Sequence, residues 1–239
     1  MRSYTRHQLK QDAFAASTAD TISWAVENRS KVIAAGTVVV VIIALILGGW
    51  AYINYRDQQA KQQLALAIQK FNQPIRPAGM AATPDLPSYG SAEERAKDTN
   101  AEFVRIADKY SYTQSSAVAR YFAGITARDM GDNTTAEKDL QQVAGSRYPE
   151  MASLAKFALA AIDHDSGKNQ QAVDLYKQLI DHPTVSVGKS SAQFALASLY
   201  QTTNKPDEAR RIYQQMQKEA PGTVVAQLAN QRLQELGKQ

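Results

Sequence analysis

Three stretches of 25 residues in the second half of the chain align with one another without a gap. They are residues 119–143, 155–179 and 192–216, at offsets of 36 and 37 residues. Self-similarity at a period of about 20 to 50 residues is the signature of repeat architectures, in which stacked neighbours bury a common core. This half of the chain is therefore predicted to fold as an array of similar units.

The aligned columns describe two helices joined by a turn. An aromatic residue is followed three positions later by a small residue, which lets neighbouring helices approach closely. A turn column tolerates the left-handed backbone found where helices end. In the second helix a small residue precedes a large apolar one by four positions, so both lie on one face. The columns are Tyr121, Phe157 and Phe194; Gly124, Ala160 and Ala197; Gly131, Gly167 and Asn204; Ala136, Ala172 and Ala209; and Leu140, Tyr176 and Tyr213. Beyond the aligned stretches a proline closes each unit, at Pro149, Pro183 and Pro221.

This column pattern resembles the tetratricopeptide repeat, a pair of antiparallel helices in about 34 residues. The units here are two or three residues longer and lack the tryptophan usual early in the first helix. The resemblance implies an all-α fold, an α-solenoid of helical hairpins. Residues 93–110 look like the second helix of a degenerate earlier unit, and residues 223–236 like a helix that caps the open end of the stack.

Residues 32–53 form a run of 22 residues without a charge. As a helix this run is roughly 33 Å long, enough to cross a hydrocarbon core of about 30 Å. Trp50, Tyr52 and Tyr55 cluster at its far end, where aromatic side chains favour the membrane interface. The alternative, a cleaved signal peptide, is disfavoured because its apolar region usually spans only about 7–15 residues. The run is therefore predicted to be a transmembrane helix.

Five segments follow from these features: a cytoplasmic N-terminal tail (1–31), the transmembrane helix (32–53), a juxtamembrane helix (54–72), a Pro/Gly-rich linker (73–92) and the tetratricopeptide-like repeat domain with its capping helix (93–239). Five Lys and Arg residues precede the span and three follow it closely, which favours a cytoplasmic N-terminus. We expect a single-pass protein of the bacterial inner membrane with its repeat domain in the periplasm.

The distribution of charge and of reactive side chains argues against nucleic-acid binding and catalysis. Residues 1–92 carry 9 Lys and Arg against 5 Asp and Glu, whereas residues 93–239 carry 18 of each, so the net charge of +4 lies around the apolar run. The repeat domain therefore lacks the basic balance of a nucleic-acid-binding domain. Cysteine is absent, and neither a phosphate loop nor a nucleophile elbow occurs. Asp163, His164 and Asp165 fit a solvated helix end better than a metal site. We expect no enzyme activity, cofactor, metal or small-molecule substrate.

In tetratricopeptide repeats the first helices line the concave face, which makes those helices the candidate protein-binding surface. The aromatic column could grip an apolar peptide, or its rings could pack within the array. The candidate residues on this face are Val118, Tyr121, Ile125, Arg128, Leu154, Phe157, Ala161, His164, Ser191, Phe194, Ser198 and Gln201.

The order of tail, span, helix and imperfect repeats resembles the YfgM-like family, bacterial inner-membrane proteins that are ancillary subunits of the SecYEG translocon. The resemblance implies an adaptor that meets translocating chains or a periplasmic chaperone, such as a membrane-anchored prolyl isomerase. The alternative is a structural scaffold of another envelope complex, in cell division or outer-membrane assembly.

Overall fold

The computed structural model describes residues 24, 26–77, 79–80 and 88–237, so most of the predicted cytoplasmic tail lies outside the described residues. Within these ranges nine helices have twelve residues or more, and none of the named elements is a strand. The helices are α1 (Arg29–Phe71), α2 (Ala92–Lys109), α3 (Gln114–Asp129), α4 (Asn133–Ala144), α5 (Pro149–Asp165), α6 (Asn169–Asp181), α7 (Lys189–Thr202), α8 (Pro206–Glu219) and α9 (Val224–Leu236). The predicted all-α fold is confirmed.

The chain divides into two compact units, residues 1–54 and 55–239. In the first unit, the apolar stretch of α1 is long and apolar enough to cross a membrane or to act as a signal anchor. None of its most apolar 18-residue window is buried against the protein. Side chains such as Val38, Ile43 and Leu45 are exposed all round the helix, as expected for a surface that faces lipid rather than a protein core.

In the second unit, helices pair in sequence and a separate apolar core lies between each pair and the next. The first core takes residues from α1, α2 and α3. The following ones are built from α3, α4 and α5, then from α5, α6 and α7, and finally from α7, α8 and α9. Each core thus depends on neighbouring hairpins alone, as in other solenoids. The last helix, α9, closes the final core.

The segment of α1 from Tyr55 onward packs on α2 as the first helix of an additional hairpin. Ala60, Leu64 and Ala67 are buried against Phe103 and Ile106. Polar contacts reinforce this packing, because the Gln63 side-chain amide donates to the Tyr110 hydroxyl at 2.7 Å and Lys70 Nζ pairs with Asp98 and Glu102 at 3.1 and 3.0 Å.

Asp57 ties the same helix to the start of α3. Its carboxylate accepts the Ser115 amide at 3.0 Å and pairs with Lys61 Nζ at 3.0 Å. Burial alone would raise the pKa of the Asp57 carboxyl, but the hydrogen bonds from Ser115 and Lys61 outweigh it and hold that pKa below its ordinary value. A carboxylate beside the first amides of a helix also suits the helix dipole.

The loop between α1 and α2 is closed by hydrogen bonds at its two ends. The Arg76 amide donates to the Tyr89 carbonyl at 2.9 Å, and the Tyr89 amide donates to the Pro74 carbonyl at 3.0 Å. The Tyr89 hydroxyl reaches Asp98 Oδ2 on α2 at 2.6 Å. These contacts fit a loop that joins the two helices of one hairpin. The segment limits at residues 54, 73 and 93 stay predictions.

The turn column of the repeats adopts the backbone that its residue types predict. Gly131, Gly167 and Asn204 have φ values of 80°, 76° and 58°, the left-handed region that glycine and asparagine tolerate best. Each lies between the two helices of one hairpin, so the second helix starts at the same place in each unit. This conformation explains why glycine or asparagine occupies the column.

Candidate protein-binding groove

A cavity of about 380 Å³ lies along the first helices of the last two hairpins and the capping helix. Its lining comes from α5, α7, α8 and α9, so it exists only because neighbouring hairpins stack. We call it the aromatic groove and define it by Phe157, Ser191, Phe194, Ala195, Ser198, Gln201, Tyr213 and Arg232. Five of the twelve candidate residues predicted from the sequence meet there.

The two phenylalanine rings of the groove pack against the second helix of their own hairpin and remain partly accessible. Phe157 lies 5.5 Å from the Tyr176 ring at an interplanar angle of 69°, and Phe194 lies 5.8 Å from the Tyr213 ring at 53°. Aromatic pairs at such centroid distances add about 0.5–1.5 kcal/mol beyond their buried area. The column therefore packs internally on one side, while its other side lines the groove.

The polar groups of the groove are few and mostly neutral. The Tyr213 hydroxyl donates to Gln201 Oε1 at 2.9 Å, which fixes the amide at the groove wall. Burial raises the pKa of Tyr213, so its hydroxyl stays protonated and a donor. Arg232 is the charged residue of the lining, and it pairs with Glu235 at 2.9 Å in an exposed bridge that adds little stability.

The candidate residues that belong to the second hairpin, formed by α3 and α4, pack outside the aromatic groove. Val118, Tyr121 and Ile125 are half-buried against the core between α3, α4 and α5. Tyr121 packs edge-on against Phe122, with ring centroids 5.6 Å apart. Arg128 pairs with its neighbour Asp129 at 3.0 Å. These side chains do not line the aromatic groove.

The remaining candidates are on α5. Leu154 is half-buried between two of the cores, and Ala161 is half-buried. His164 uses both ring nitrogens, since Nδ1 lies 2.9 Å from Asn169 Oδ1 and Nε2 lies 3.1 Å from Thr202 Oγ1 on α7. His164 therefore bridges two hairpins. Among the residues that the structure describes, no group of three or more His, Cys, Asp or Glu side chains is placed to hold a metal ion.

Three residues of the groove were not predicted as part of it. Ala195 follows Phe194 directly, Tyr213 was assigned only to the apolar face of its helix, and Arg232 comes from the capping helix. Arg232 lies 38 residues after Phe194, one position beyond the repeat offset of 37. Extending the aromatic column by 37 residues leads to Gln231, the residue directly before Arg232.

Comparison with known proteins decides the family. The tetratricopeptide repeat-like domain matches residues 23–238, nearly the whole chain. The chain belongs to this family. Within it, the sequence is of the YfgM type that its architecture resembles. The matched family is a protein-interaction domain, and no catalytic family was found. No curated protein and no solved structure matches the chain.

Membership of the tetratricopeptide repeat-like family agrees with the hairpins and with protein partners for this domain. The match begins before α1 and so includes its apolar stretch as well as the segment that forms the first hairpin. The chain is thus a tetratricopeptide-repeat-like domain joined to an apolar N-terminal helix fit for membrane anchoring.

Proposed function

We propose that this protein is a membrane-anchored adaptor whose aromatic groove binds a segment of another polypeptide during protein export. The observation that carries the proposal is the accessible side of the Phe157 and Phe194 rings in a shared cavity of about 380 Å³. The size and the apolar walls suit a few residues of an extended or helical segment.

The chemistry of the groove favours an apolar, weakly charged occupant. Its lining offers two phenylalanine rings, two serine hydroxyls and the Gln201 amide, with Arg232 as the charged side chain. Apolar segments of this kind are exposed when a chain has left the translocon and has not yet folded. This reasoning, together with the resemblance to the YfgM-like family, supports a role beside the SecYEG translocon or a periplasmic chaperone.

The proposed setting is the bacterial inner membrane, with residues 32–53 as a single span, the N-terminus in the cytoplasm and the repeat domain in the periplasm. It is supported by the length of the apolar stretch and by the excess of Lys and Arg before it.

Photocrosslinking in intact cells tests the partner. A benzoylphenylalanine in place of Phe194 is expected to capture translocon subunits, translocating chains or a periplasmic chaperone. The same group in place of Tyr112, an aromatic residue that is 82% exposed and outside the groove, is the matched control. Capture of cell-division or outer-membrane assembly proteins instead would overturn the export role and favour the scaffold alternative.

The groove itself is tested by blocking it without disturbing the core. Ser198 is exposed and lines the cavity, so Ser198→Arg should fill the groove and reduce crosslinking from its neighbours while the melting temperature stays unchanged. Gln171→Arg, at an exposed site on α6, makes the same charge change away from the groove. Equal crosslinking in the two variants would show that the groove is not the binding site.

A further inference from the structure

One place in the hairpin recurs three times along the array. It lies between the start of the first helix of a hairpin and the end of its second helix, and we call it the repeated position. The repeat offsets of 36 and 37 residues relate three sets of side chains at the repeated position. The sets are Arg120, Gln142 and Ser146; Lys156, Gln178 and His182; and Gln193, Gln215 and Glu219. Each hairpin therefore presents a cation or an amide, an invariant glutamine, and one residue that varies in charge.

In the last hairpin this position is occupied by a carboxylate from the chain itself. Glu219 accepts Lys189 Nζ at 2.7 Å, Gln215 Nε2 at 2.8 Å and Gln193 Nε2 at 3.1 Å. These hydrogen bonds, led by that from Lys189, lower the pKa of Glu219 to about 2. The last hairpin shows what chemistry the position accepts when it is filled, namely a carboxylate held by a lysine and two amides.

In the first of these hairpins the cation has acidic partners of its own. Arg120 pairs with Asp108 at 2.5 Å and with Asp139 at 3.2 Å. Burial raises the pKa of Asp139, and the Arg120 guanidinium works against that effect. The adjoining cavity measures about 280 Å³. Arg120 thus needs no outside anion.

The middle hairpin differs from both. Lys156 Nζ donates to the neutral amide oxygen of Gln178 at 3.1 Å, and no carboxylate of the described residues forms an ion pair with it. His182 occupies the place of the acid, and the cavity is larger, about 510 Å³. We call it the lysine groove and define it by Pro149, Ala152, Ser153, Lys156, Gln178, Leu179, Asp181, His182, Pro183 and Thr184.

We propose that the lysine groove is a second binding site, which takes an aspartate or glutamate side chain from an acidic, otherwise apolar segment of a partner polypeptide. The incoming carboxylate accepts Lys156 Nζ and the Gln178 amide, as Glu219 accepts its lysine and glutamines. Leu179, Pro149 and Pro183 supply apolar walls for the flanking residues. Asp181 also lines the groove and repels a carboxylate near the C-terminal end of α6, so the groove restricts the position of the incoming acidic side chain.

The lysine groove shares no lining residue with the aromatic groove. The two sites differ in chemistry as well. The aromatic groove is lined by two phenylalanine rings, neutral polar groups and Arg232, which pairs with Glu235. The lysine groove is built around Lys156, which forms no ion pair with a carboxylate of the described residues. The proposal therefore does not depend on the proposed function, and a test of either site leaves the other unaffected.

The test uses the full-length protein in detergent and a fluorescein-labelled, capped peptide of alternating leucine and glutamate, followed by fluorescence anisotropy. Lys156→Gln should weaken binding about tenfold, because a hydrogen bond to a charged group is lost. Lys177→Gln, an exposed lysine outside the groove, makes the same charge change and should have little effect. Equal losses in the two variants would show a general charge effect and overturn the proposal.

Two further measurements separate a built site from loose ionic attraction. His182→Glu should place an acid where the last hairpin has Glu219, raise the melting temperature and abolish peptide binding, since the groove then carries its own acid. Retained binding in that variant contradicts the proposal. A peptide with glutamine in place of glutamate should not bind, and displacement of the glutamate peptide by millimolar inorganic phosphate would reassign the groove to small anions.

Discussion

Replacing Leu64 by alanine tests whether the helix that follows the apolar stretch is a structural part of the repeat domain. Leu64 is 7% exposed and packs in the first core with Phe103 and Ile106. Leu66, two residues along the same helix, is 67% exposed. The two leucines therefore form a matched pair, with the same substitution at a buried and at an open site of one helix.

The expected loss follows from the burial of Leu64. A buried leucine truncated to alanine costs about 2–5 kcal/mol, from lost transfer free energy and from the cavity left behind. The site lies near one end of the array, where neighbours relax more easily, so about 2–3 kcal/mol is expected. For a domain of this size that loss lowers the melting temperature by about 4–12 °C. Leu66→Ala should cost no more than about 0.5 kcal/mol.

The assay is thermal unfolding of the full-length protein in detergent, followed by far-ultraviolet circular dichroism. Hydrogen exchange of α2 gives a local readout, because amides around Phe103 lose protection if the first hairpin opens. If both alanine variants melt within about 2 °C of each other, the helix is not packed on α2 and the first hairpin does not exist in solution.

Three further predictions concern the interior of the array, its pH dependence and its topology. A Cβ on Gly124 would lie 2.8 Å from Leu140 Cγ, so Gly124→Ala should lower the melting temperature despite the better helix propensity of alanine. Adding Leu140→Tyr to that variant should restore part of the loss, because tyrosine is the partner that the equivalent alanine has in the later hairpins. The pKa of Glu219 is lowered to about 2, so its carboxylate stabilises the fold above the ordinary glutamate pKa, and this contribution is lost as the pH falls toward 2. Glu219→Gln should therefore reduce the acid-dependent loss in the free energy of unfolding, by less than about 1 kcal/mol because solvent screens the group. The chain contains no cysteine, so the single variants Ser3→Cys and Gln171→Cys each carry one thiol that reports membrane topology. In intact spheroplasts a membrane-impermeant maleimide should label the Gln171→Cys variant, whose thiol is expected in the periplasm, and spare the Ser3→Cys variant.

The sequence was sufficient to predict the last three hairpins because local chemistry sets where their helices end. The left-handed positions at Gly131, Gly167 and Asn204 follow from residue types that tolerate positive φ. For the first hairpin the sequence indicated only the second helix, residues 93–110, and assigned its first helix to a separate juxtamembrane segment. Its two helices are separated by a long Pro/Gly-rich stretch that breaks the 36-residue period, and the hydrogen bonds that close this stretch through Tyr89 leave no periodic signal.

The aromatic column shows why the candidate site was only partly predictable. Phe157 and Phe194 each face a tyrosine on the second helix of their hairpin. In the hairpin before them Leu140 holds that place, so Tyr121 has no ring to face and packs on Phe122 instead. A column of similar residues therefore does not make a continuous surface. The partner across each hairpin decides which ring lines the groove.

Differences in a few aligned positions explain how one fold carries different binding chemistry along its length. The three equivalent positions share a glutamine, and they differ in two columns: Arg120, Lys156 and Gln193, and Ser146, His182 and Glu219. Because each hairpin contacts only its neighbours, a change in either column alters one position and leaves the others intact. Glu219 closes the last position, and Asp139 neutralises the cation of the first. In the middle hairpin Lys156 has no ion pair with any carboxylate that the structure describes, which places the lysine groove there and not at either of the other two positions.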